Sequence, residues 1–225
     1  MSRALDFFWD KWDERKTYSQ FGEDAIILSH FYNKNWKSTS SFKDLPRGFY
    51  VDVGAHHPCI ISNTWLFYKQ GWSGIAIDPN PGYRELFSQY RPRDVFLEVA
   101  CSSSEGIKNF YRSGSSPMNT LDPSVAERIG FSESMQVETL RLETILEQYL
   151  PAATEISFLN VDVEGHDIEV LSSNNWSKFR PEIVCVELHE DNIEKVIQSP
   201  VFGFMRDVSY KLTSWSRPSL IFQKV

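Results

Sequence analysis

Residues 206–225 of the sequence, RDVSYKLTSWSRPSLIFQKV, decide between the folds that the rest of the chain allows. Two runs with strand character, 206–212 and 219–225, flank a short polar link that contains a proline. A link this short joins only antiparallel strands, because a parallel pair needs a crossover connection of about a dozen residues or more. We therefore predict an antiparallel pair of strands in this part of the fold.

Before this pair, short apolar strands alternate with amphipathic helices. The predicted strands are GFYVDVGA (48–55), GIAIDPNP (74–81), DVFLEVACS (94–102), IKNFYRS (107–113), ISFLNVD (156–162) and EIVCVELHE (182–190). Helices are predicted over 63–70, after a cap at Asn80, and through Leu142, Ile168 and Ile193. This alternation is typical of a doubly wound α/β sheet with helices on both faces.

An antiparallel C-terminal strand on a mostly parallel sheet is a feature of the seven-stranded, Rossmann-like fold of class I S-adenosylmethionine (SAM) methyltransferases. A nicotinamide-binding sheet usually lacks it. We predict the SAM methyltransferase fold for residues 48–225, with 1–47 as an N-terminal helical extension that packs on the core through Trp9, Trp12 and Phe21. The polar stretch 103–136 is predicted to be an excursion over one end of the sheet that shapes the acceptor pocket.

Composition excludes several classes of protein. The chain has 225 residues, of which 41% are hydrophobic, so it can bury a substantial core. A net charge of −7 argues against a nucleic-acid surface, and no apolar run approaches the ~20 residues of a membrane span. The charged N-terminus does not resemble a secretory signal, and Cys59, Cys101 and Cys185 fit reduced thiols in the cytoplasm. Seven tryptophans permit an interface in a homo-oligomer.

The first strand ends in VDVGAHHP (51–58), without the G-x-G-x-x-G turn that the pyrophosphate of a dinucleotide needs. SAM has no phosphate, so one glycine and one acid can suffice. Gly54 allows close backbone approach, and Asp78 ends the second strand where an acid commonly binds ribose hydroxyls. A plain turn role for Asp78 is the alternative. Asp52 interrupts an apolar strand and needs a partner, which the ammonium of SAM would supply.

Several blocks of sequence, in order along the chain, resemble the FkbM-type family of SAM-dependent O-methyltransferases. They are YSQFGEDAIIL (18–28), GFYVDVGAHHP (48–58), SNTWLFYKQGWSGIAIDPNP (62–81), MNTLD (118–122) and FLNVDVEGHDIEVL (158–171). The resemblance implies methyl transfer from SAM, in many members to hydroxyls of sugars or of polyketide-linked groups.

The resemblance also implies a set of SAM-binding residues. Asp52, Gly54 and Asp78 would hold SAM, and Ala100 and Cys101 would border the adenine. Further candidates are Gln20, His56, Asn63, Thr64 and Pro79. Some have simpler alternatives. The resemblance makes Gln20 and Asp24 candidates for lining the SAM or acceptor pocket, but their segment could instead serve merely as the start of a helix with acids in its first turn. Asn63 or Thr64 could likewise be a helix cap.

The stretch FLNVDVEGHD (158–167) ends an apolar strand on a cluster of acids, and EIVCVELHE (182–190) ends the neighbouring strand in a similar way. Carboxyl ends of parallel strands form the ligand-binding edge of such a sheet. The candidate catalytic residues at these ends are Asp162, Glu164, His166, Glu187 and His189. Simpler alternatives are that Glu164 is an acid opening a helix and that His166 is a capping or surface residue.

Two chemistries fit these acidic strand ends, because a sugar hydroxyl needs a base or a metal to become nucleophilic. In one, His189 or His166 is a general base that a carboxylate orients. In the other, Asp162, Glu187 and His189 bind Mn²⁺ or Mg²⁺, with the mixed ligands favouring Mn²⁺.

The sequence therefore predicts a SAM-dependent O-methyltransferase that acts on a carbohydrate, such as a glycan or a sugar nucleotide. One alternative is a non-catalytic binding module with the same fold, and another is a methyltransferase for a non-sugar hydroxyl or an amine. A nicotinamide oxidoreductase or epimerase is disfavoured, because the phosphate turn and a Tyr-x-x-x-Lys pair at a suitable strand end are missing.

Overall fold

A computed structural model describes residues 16–35 and 45–225. The strands, in chain order, are β1 (Phe49–Val53), β2 (Ser73–Ile77), β3 (Val95–Leu97), β4 (Ala100–Cys101), β5 (Gly106–Arg112), β6 (Glu133–Leu140), β7 (Phe158–Val161), β8 (Ile183–Glu187), β9 (Tyr210–Ser216) and β10 (Ser219–Lys224). The helices are α1 (Glu23–Asn35), α2 (Trp65–Lys69), α3 (Tyr83–Tyr90), α4 (Pro123–Ile129), α5 (Leu142–Tyr149), α6 (Asp167–Ser172), α7 (Ile193–Gln198) and α8 (Pro200–Asp207).

A seven-stranded sheet with the order β3-β2-β1-β7-β8-β10-β9 forms the centre of the fold. The five neighbouring strands β3, β2, β1, β7 and β8 of this sheet pair in parallel. Only β10 runs the other way, between β8 and β9. The predicted Rossmann-like sheet with an antiparallel C-terminal strand is therefore confirmed.

Helices cover both faces of this sheet, because side chains alternate between faces along each strand. Tyr50 and Phe158 point to the face on which α1 and α2 pack. Val51 and Leu159 point to the opposite face and pack with residues of α5 to α8. All five residues of β1 are buried. The buried strand therefore holds its carboxyl end, where the site lies, in a fixed position.

The predicted strand over 94–102 is two strands that belong to different sheets. β3 joins the edge of the main sheet, whereas β4 pairs with β6 in a three-stranded sheet of order β4-β6-β5. The excursion over 103–136 thus has a sheet of its own, together with α4. The sequence did not indicate β6, because its residues are mostly polar and its outer face is exposed.

The strand predicted over 206–212 begins later, at Tyr210. Residues up to Asp207 belong instead to α8, which the sequence prediction missed. Pro200 stands in the first turn of this helix, and the Ser199 side chain accepts a hydrogen bond from the backbone N–H of Phe202. Pro in the first turn and Ser as the cap are the ordinary start signals of a helix, and they outweigh the strand preference that follows.

Before α3, Gly82 and not Asn80 occupies the cap position, with a φ of 90°. The predicted cap at Asn80 is therefore wrong. Asn80 directs its side chain to Asp78 and Asn119 instead.

The segment before the sheet packs on the core through α1, whose Ile27, Leu28 and Phe31 are buried. Phe21 does not pack as predicted, since 55% of it is exposed. Trp9 and Trp12 lie outside the described residues, and the extension over 1–47 stays a prediction. Within 16–35 and 45–225, no helix combines the length and apolar character needed to span a membrane.

Candidate active site

The carboxyl ends of β1, β2 and β7 meet in a cleft whose backbone geometry depends on Gly54. The N–H groups of Gly54 and Ala55 donate to the carbonyl oxygen of Ile77, and the N–H of Asp162 donates to that of Val53. Gly54 has a φ of 80°, and a Cβ atom placed on it would lie 1.7 Å from the carbonyl oxygen of Asp162. Only glycine fits this close approach of the two strand ends.

Both polar and apolar residues line the cleft. The lining residues are Val53, Gly54, His56, Ile77, Asp78, Pro79, Asn80, Val99, Ala100, Cys101, Phe110, Pro117, Asn119, Leu121, Asp162 and Val163. Six of the predicted cofactor-binding residues are among them: Gly54, His56, Asp78, Pro79, Ala100 and Cys101. The other four, Gln20, Asp52, Asn63 and Thr64, are described residues that do not line it.

A larger cleft, of about 850 Å³, lies at the opposite end of the sheet strands, between residues such as Ser157, Lys178 and Arg180. It contains none of the predicted site residues. Ligands of doubly wound sheets bind at the carboxyl ends of the strands, so the smaller cleft is the candidate active site.

Asp78 joins two loops at the floor of the cleft. Its Oδ2 accepts the N–H of His56 at 2.8 Å, and its Oδ1 accepts the N–H and the Nδ2 of Asn80, each at 2.8 Å. Burial raises the pKa of Asp78, and these hydrogen bonds oppose that rise. Asn80 in turn accepts a hydrogen bond from Nδ2 of Asn119 at 2.7 Å. The sequence analysis gave no role to Asn119, although the block MNTLD contains it.

Strained backbone occurs at the cleft and just beyond Asp162. His56, which lines the cleft, and Glu164 have φ values of 47° and 54°, a region that residues other than glycine seldom adopt. The His56 ring places Nε2 3.1 Å from the carbonyl oxygen of Ser115 and packs edge-on against Tyr83. Such strain is concentrated at functional sites, where the surrounding structure holds it in place.

Asp52 lies in a hydrogen-bonded network below the cleft. Thr64 Oγ1 donates to its Oδ2 at 2.5 Å, and Asn160 Nδ2 donates to its Oδ1 at 2.9 Å. Asn63 Nδ2 donates to the Oδ1 of Asn160 at 2.8 Å. The partner that Asp52 needs therefore comes from the chain itself. The roles of Asp52, Asn63 and Thr64 in binding SAM stay predictions.

Arg91 completes this network and was missed in the sequence. The side chain is fully buried, pairs with Asp94 at 2.6 Å, and donates to Thr64 Oγ1 at 2.9 Å and to Tyr50 Oη at 2.9 Å. Its position near the end of α3 gave no signal, because exposed arginines are common there. Asp94 is only three residues away, but Thr64 and Tyr50 are distant in the chain, so only the fold reveals those contacts.

The predicted candidates Gln20 and Asp24 lie just before and at the start of α1. Gln20 is exposed. Asp24 is fully buried, and its carboxylate accepts the N–H groups of Tyr18 and Ala25, each at 2.7 Å. Asp24 thus stabilises the start of the helix, which was the simpler alternative, and a role for Gln20 in binding SAM stays a prediction.

The neighbouring strands β7 and β8 bring acidic residues together. Val161 pairs with Val186, so Asp162 and Glu187 are the next neighbours across the two strands. Val161 and Val186 point to one face and pack in its core, so the next residues point to the opposite face. The two carboxyl groups therefore lie side by side where β7 and β8 end.

Glu164 and His189 join this group. Nε2 of His189 lies 3.2 Å from Oε1 of Glu187 and 4.0 Å from Oε2 of Glu164. One donor atom from each of these three side chains lies within 4.8 Å of the other two. The trio predicted from the sequence was Asp162, Glu187 and His189, with Asp162 in place of Glu164. The turn at Glu164, with its positive φ, brings that side chain to the other two.

Burial and mutual repulsion shift the pKa values of these groups. Burial, and then the carboxylates of Glu187 and Asp167, raises the pKa of Asp162 well above its usual value. Burial, followed by Glu187, raises the pKa of Glu164 to about 7 and that of Asp167 to about 8. The hydrogen bond to Glu187 raises the pKa of His189 against the effect of burial. The site therefore favours cations and protons.

His166 faces a different set of partners. Its Nε2 lies 2.9 Å from Ser102 Oγ, to which Lys108 donates at 2.6 Å, and its Nδ1 lies 3.8 Å from Glu169. It occupies the cap position of α6 without a capping hydrogen bond from its side chain. A role for His166 as a base stays a prediction, but these contacts do not favour it.

Asp167, like Asn119 and Arg91, was not predicted from the sequence. Its two carboxylate oxygens accept the backbone N–H groups of Val163 and Gly165, each at 3.2 Å. These hydrogen bonds shape the turn that presents Glu164. An acid in the first turn of α6 was the signal that could have identified it.

A model of the methyltransferase FkbM domain matches residues 52–212, which is most of the chain and contains the cleft and the acidic strand ends. The protein belongs to the FkbM methyltransferase family. The resemblance drawn from the sequence is thereby confirmed, and this FkbM protein is a SAM-dependent methyltransferase. No curated protein sequence matches it.

Two solved structures are similar to this FkbM protein at low identity. One is 1,6-didemethyltoxoflavin-N1-methyltransferase of Burkholderia thailandensis, with bound 1,6-didemethyltoxoflavin and S-adenosylhomocysteine; it is 10% identical, with a TM-score of 0.44, and the alignment covers 98% of this chain and 86% of that chain. The other is methyltransferase FkbM of Methylobacillus flagellatus KT, 10% identical with a TM-score of 0.48, over 98% of this chain and 59% of that chain. The family assignment rests on the match of residues 52–212.

The residues of the cleft fit SAM. Asp78 stands at the end of β2, where acids commonly accept hydrogen bonds from ribose hydroxyls, and Val99, Phe110 and Leu121 supply apolar lining of the kind that an adenine ring requires. The turn after β1 has one glycine and no phosphate-binding fingerprint, which agrees with a cofactor that has no phosphate. The FkbM family and the cleft thus point to the same cofactor.

Proposed function

We propose that this FkbM protein transfers the methyl group of SAM to a hydroxyl of a carbohydrate. The acceptor would be a small-molecule sugar or a glycan, with a sugar nucleotide as the first candidate. The observation that carries the proposal is the junction of the cofactor cleft with the acidic strand ends. Asp162 lines the cleft, and Glu187, Glu164 and His189 adjoin it. Carboxylates are the groups with which proteins bind sugar hydroxyls and remove their protons.

The chain contributes binding, alignment and proton transfer to this reaction. When bound, SAM supplies the methyl group: the S–CH₃ bond breaks, the new O–CH₃ bond forms, and sulfur keeps the electron pair of the broken bond. Gly54, Asp78, Ala100 and Cys101 would hold the nucleoside end of the cofactor. The acceptor would enter beside Asp162, where alignment of the reacting atoms can supply much of the rate enhancement.

The hydroxyl proton must leave as the new bond forms. With a general base, the proton passes to Nδ1 of His189, while the other ring nitrogen, Nε2, donates to Glu187 at 3.2 Å and is thereby oriented. A divalent cation, Mn²⁺ or Mg²⁺, held at the acidic strand ends would lower the pKa of the hydroxyl, and Asp162 would be the carboxylate beside it that accepts the proton. His166 is disfavoured in either case, because Ser102 engages its Nε2.

We place the reaction in the cytoplasm, since Cys59, Cys101 and Cys185 are unpaired thiols.

The test is methyl transfer from methyl-labelled SAM to a panel of sugar nucleotides, free sugars, amines and non-sugar alcohols. We expect label on a sugar hydroxyl, with S-adenosylhomocysteine formed in equal amount. Asp162→Asn should lower the rate by about 10²-fold or more, the usual contribution of a positioned acid or base, while S-adenosylhomocysteine still binds. Asp207→Asn, an exposed carboxylate paired with Arg206, is the matched control and should leave the rate unchanged.

Label on an amine or a non-sugar alcohol alone would contradict the carbohydrate assignment. Binding of S-adenosylhomocysteine with no transfer to any acceptor would favour a non-catalytic binding module. An unchanged rate in Asp162→Asn would remove the assignment of the acidic strand ends.

A further inference from the structure

Glu187 has a buried oxygen atom that accepts no hydrogen bond from an N–H or hydroxyl donor of the described residues. Only 7% of the residue is exposed. Its Oε1 lies 3.2 Å from Nε2 of His189, whereas Oε2 has no such donor, and the neighbouring side chain of Asp162 is another carboxyl group. A buried polar atom left unpaired costs about 1–3 kcal/mol, and more when it is charged. A bound ion or water is the usual explanation for such an atom in a native structure.

The atoms around Glu187 have the spacing of a metal site. The donor atoms of Glu164, Glu187 and His189 lie within 4.8 Å of one another. Donors that share one ion at about 2.2 Å lie up to about 4.4 Å apart. Small rotations of the side chains therefore bring all three donor atoms within bonding distance of one ion. The site therefore needs no change of backbone to bind an ion.

The backbone that presents these donors is held from two sides. The carbonyl oxygen of Glu164 accepts a hydrogen bond from Thr120 Oγ1 at 2.9 Å. Asp167 fixes the same turn through the N–H groups of Val163 and Gly165. Glu187 ends a fully buried strand. Donors on a fixed backbone lose little entropy when they bind an ion, as a functional site requires.

Four carboxyl groups lie close together at this site. Asp162 and Asp167 add theirs to those of Glu164 and Glu187. Among the described residues, His189 and the more distant Arg128 are the positive groups that act on Glu164. Several carboxylates at one place repel each other unless a cation joins them.

We propose that Glu164, Glu187 and His189 bind a divalent cation, with Mn²⁺ as the preferred ion. Two carboxylates and one imidazole suit Mn²⁺ better than Mg²⁺, which prefers an all-oxygen octahedron. Three protein ligands leave positions open, as in catalytic metal sites. The side chain of His189 is 62% exposed, so the open positions face the side from which an acceptor can arrive.

The catalytic part of this inference rests on the proposed function, whereas the binding of the ion does not. Next to the cofactor cleft, the ion would bind two neighbouring oxygens of a sugar and lower the pKa of the hydroxyl that is methylated. Asp162, which lines the cleft, then lies beside the ion and is left available for the proton.

The test is direct titration of the chelator-stripped full chain with Mn²⁺, in the absence of SAM and of any acceptor. Electron paramagnetic resonance measures the free aqueous ion. We expect one ion bound per chain, and Mg²⁺ should displace it only at higher concentration. Loss of a second-shell partner already costs about 10–100-fold in metal affinity, so Glu164→Gln and Glu187→Gln should each weaken binding by about 100-fold or more.

Glu190→Gln is the matched control, because Glu190 follows His189 directly and lies 3.9 Å from Lys195 instead. It should bind Mn²⁺ as the unaltered protein does. Where Glu187→Gln fails to fold, His189→Asn tests the site, since it changes an exposed side chain. Absence of stoichiometric binding, or equal affinity in Glu164→Gln, His189→Asn and Glu190→Gln, would overturn the proposal.

The fate of this site and that of the proposed function can be distinguished. A protein that binds Mn²⁺ through these ligands but methylates only amines keeps the metal site and loses the carbohydrate assignment. A protein that methylates a sugar at full rate, and binds no Mn²⁺ in the titration, overturns the metal site alone.

Discussion

We expect Asp78 to contribute to recognition of the cofactor, because it lines the cleft and accepts hydrogen bonds from both flanking loops. Asp78→Ala should weaken binding of S-adenosylhomocysteine by about 10–100-fold, since a hydrogen bond to a charged group contributes about 1.5–3 kcal/mol. Isothermal titration calorimetry measures the change. Asp207→Ala, an exposed carboxylate far from the cleft loops in sequence, should bind with unaltered affinity. Equal affinity of both variants would contradict the role given to Asp78.

Gly54 shows at a single residue how backbone and site are connected. Gly54→Ala combines a positive φ with a Cβ atom 1.7 Å from a carbonyl oxygen, so we expect a loss of about 3 kcal/mol or more in the free energy of unfolding. Urea denaturation measures it.

The matched control is Gly203→Ala, inside α8, where a Cβ atom would have no neighbour within 4 Å among the described residues. That change should stabilise the protein by about 0.5–1 kcal/mol, because alanine favours the helix. A Gly54→Ala variant as stable as the unaltered protein would mean that β1 and β7 do not approach as closely as described.

Among the elements, α3 is tied to β1 and α2 by the buried Arg91. Arg91→Met removes the charge that faces Asp94, both side chains being fully buried, and leaves a buried carboxylate unpaired. We expect a loss of about 3–5 kcal/mol in the free energy of unfolding, as for other broken buried ion pairs. Urea denaturation measures the change.

The double variant Arg91→Met, Asp94→Asn should recover part of this loss, because the uncompensated charge is gone. Arg206→Met, which breaks a surface pair with Asp207, should cost no more than about 1 kcal/mol. An equal cost for Arg91→Met and Arg206→Met would contradict the structural role of the network.

At the scale of the whole molecule, the directions of the strands in the main sheet were predictable, because they follow from the lengths and types of the connections between strands. The short link before Ser219 requires antiparallel strands, and the strand–helix alternation requires a parallel sheet. The second sheet was not predictable, since β6 is mostly polar and its partner strands lie in a region of weak signals. The helix α8 was missed because its start signals, Ser199 and Pro200, follow directly on another helix.

The site could be predicted in part for a similar reason. Gly54, Asp78 and Asp162 end strands, and strand ends can be recognised in a sequence. The partners of Asp52 could not be predicted, because Asn160 is 108 residues away in the chain. The position of Glu164 beside His189 depends on a turn with positive φ, which strand alternation does not indicate.

The most direct test of the account is the binding of S-adenosylhomocysteine to the full chain, followed by thermal unfolding and calorimetry. At about 100 times the dissociation constant, the ligand should stabilise the protein by ~2.7 kcal/mol. For a chain of this size, that corresponds to an increase of about 5–10 °C in Tm. A saturable heat of binding with this increase is the predicted result. The absence of both a heat of binding and a change in Tm would contradict the claim that the cleft at Gly54 and Asp78 is a SAM site.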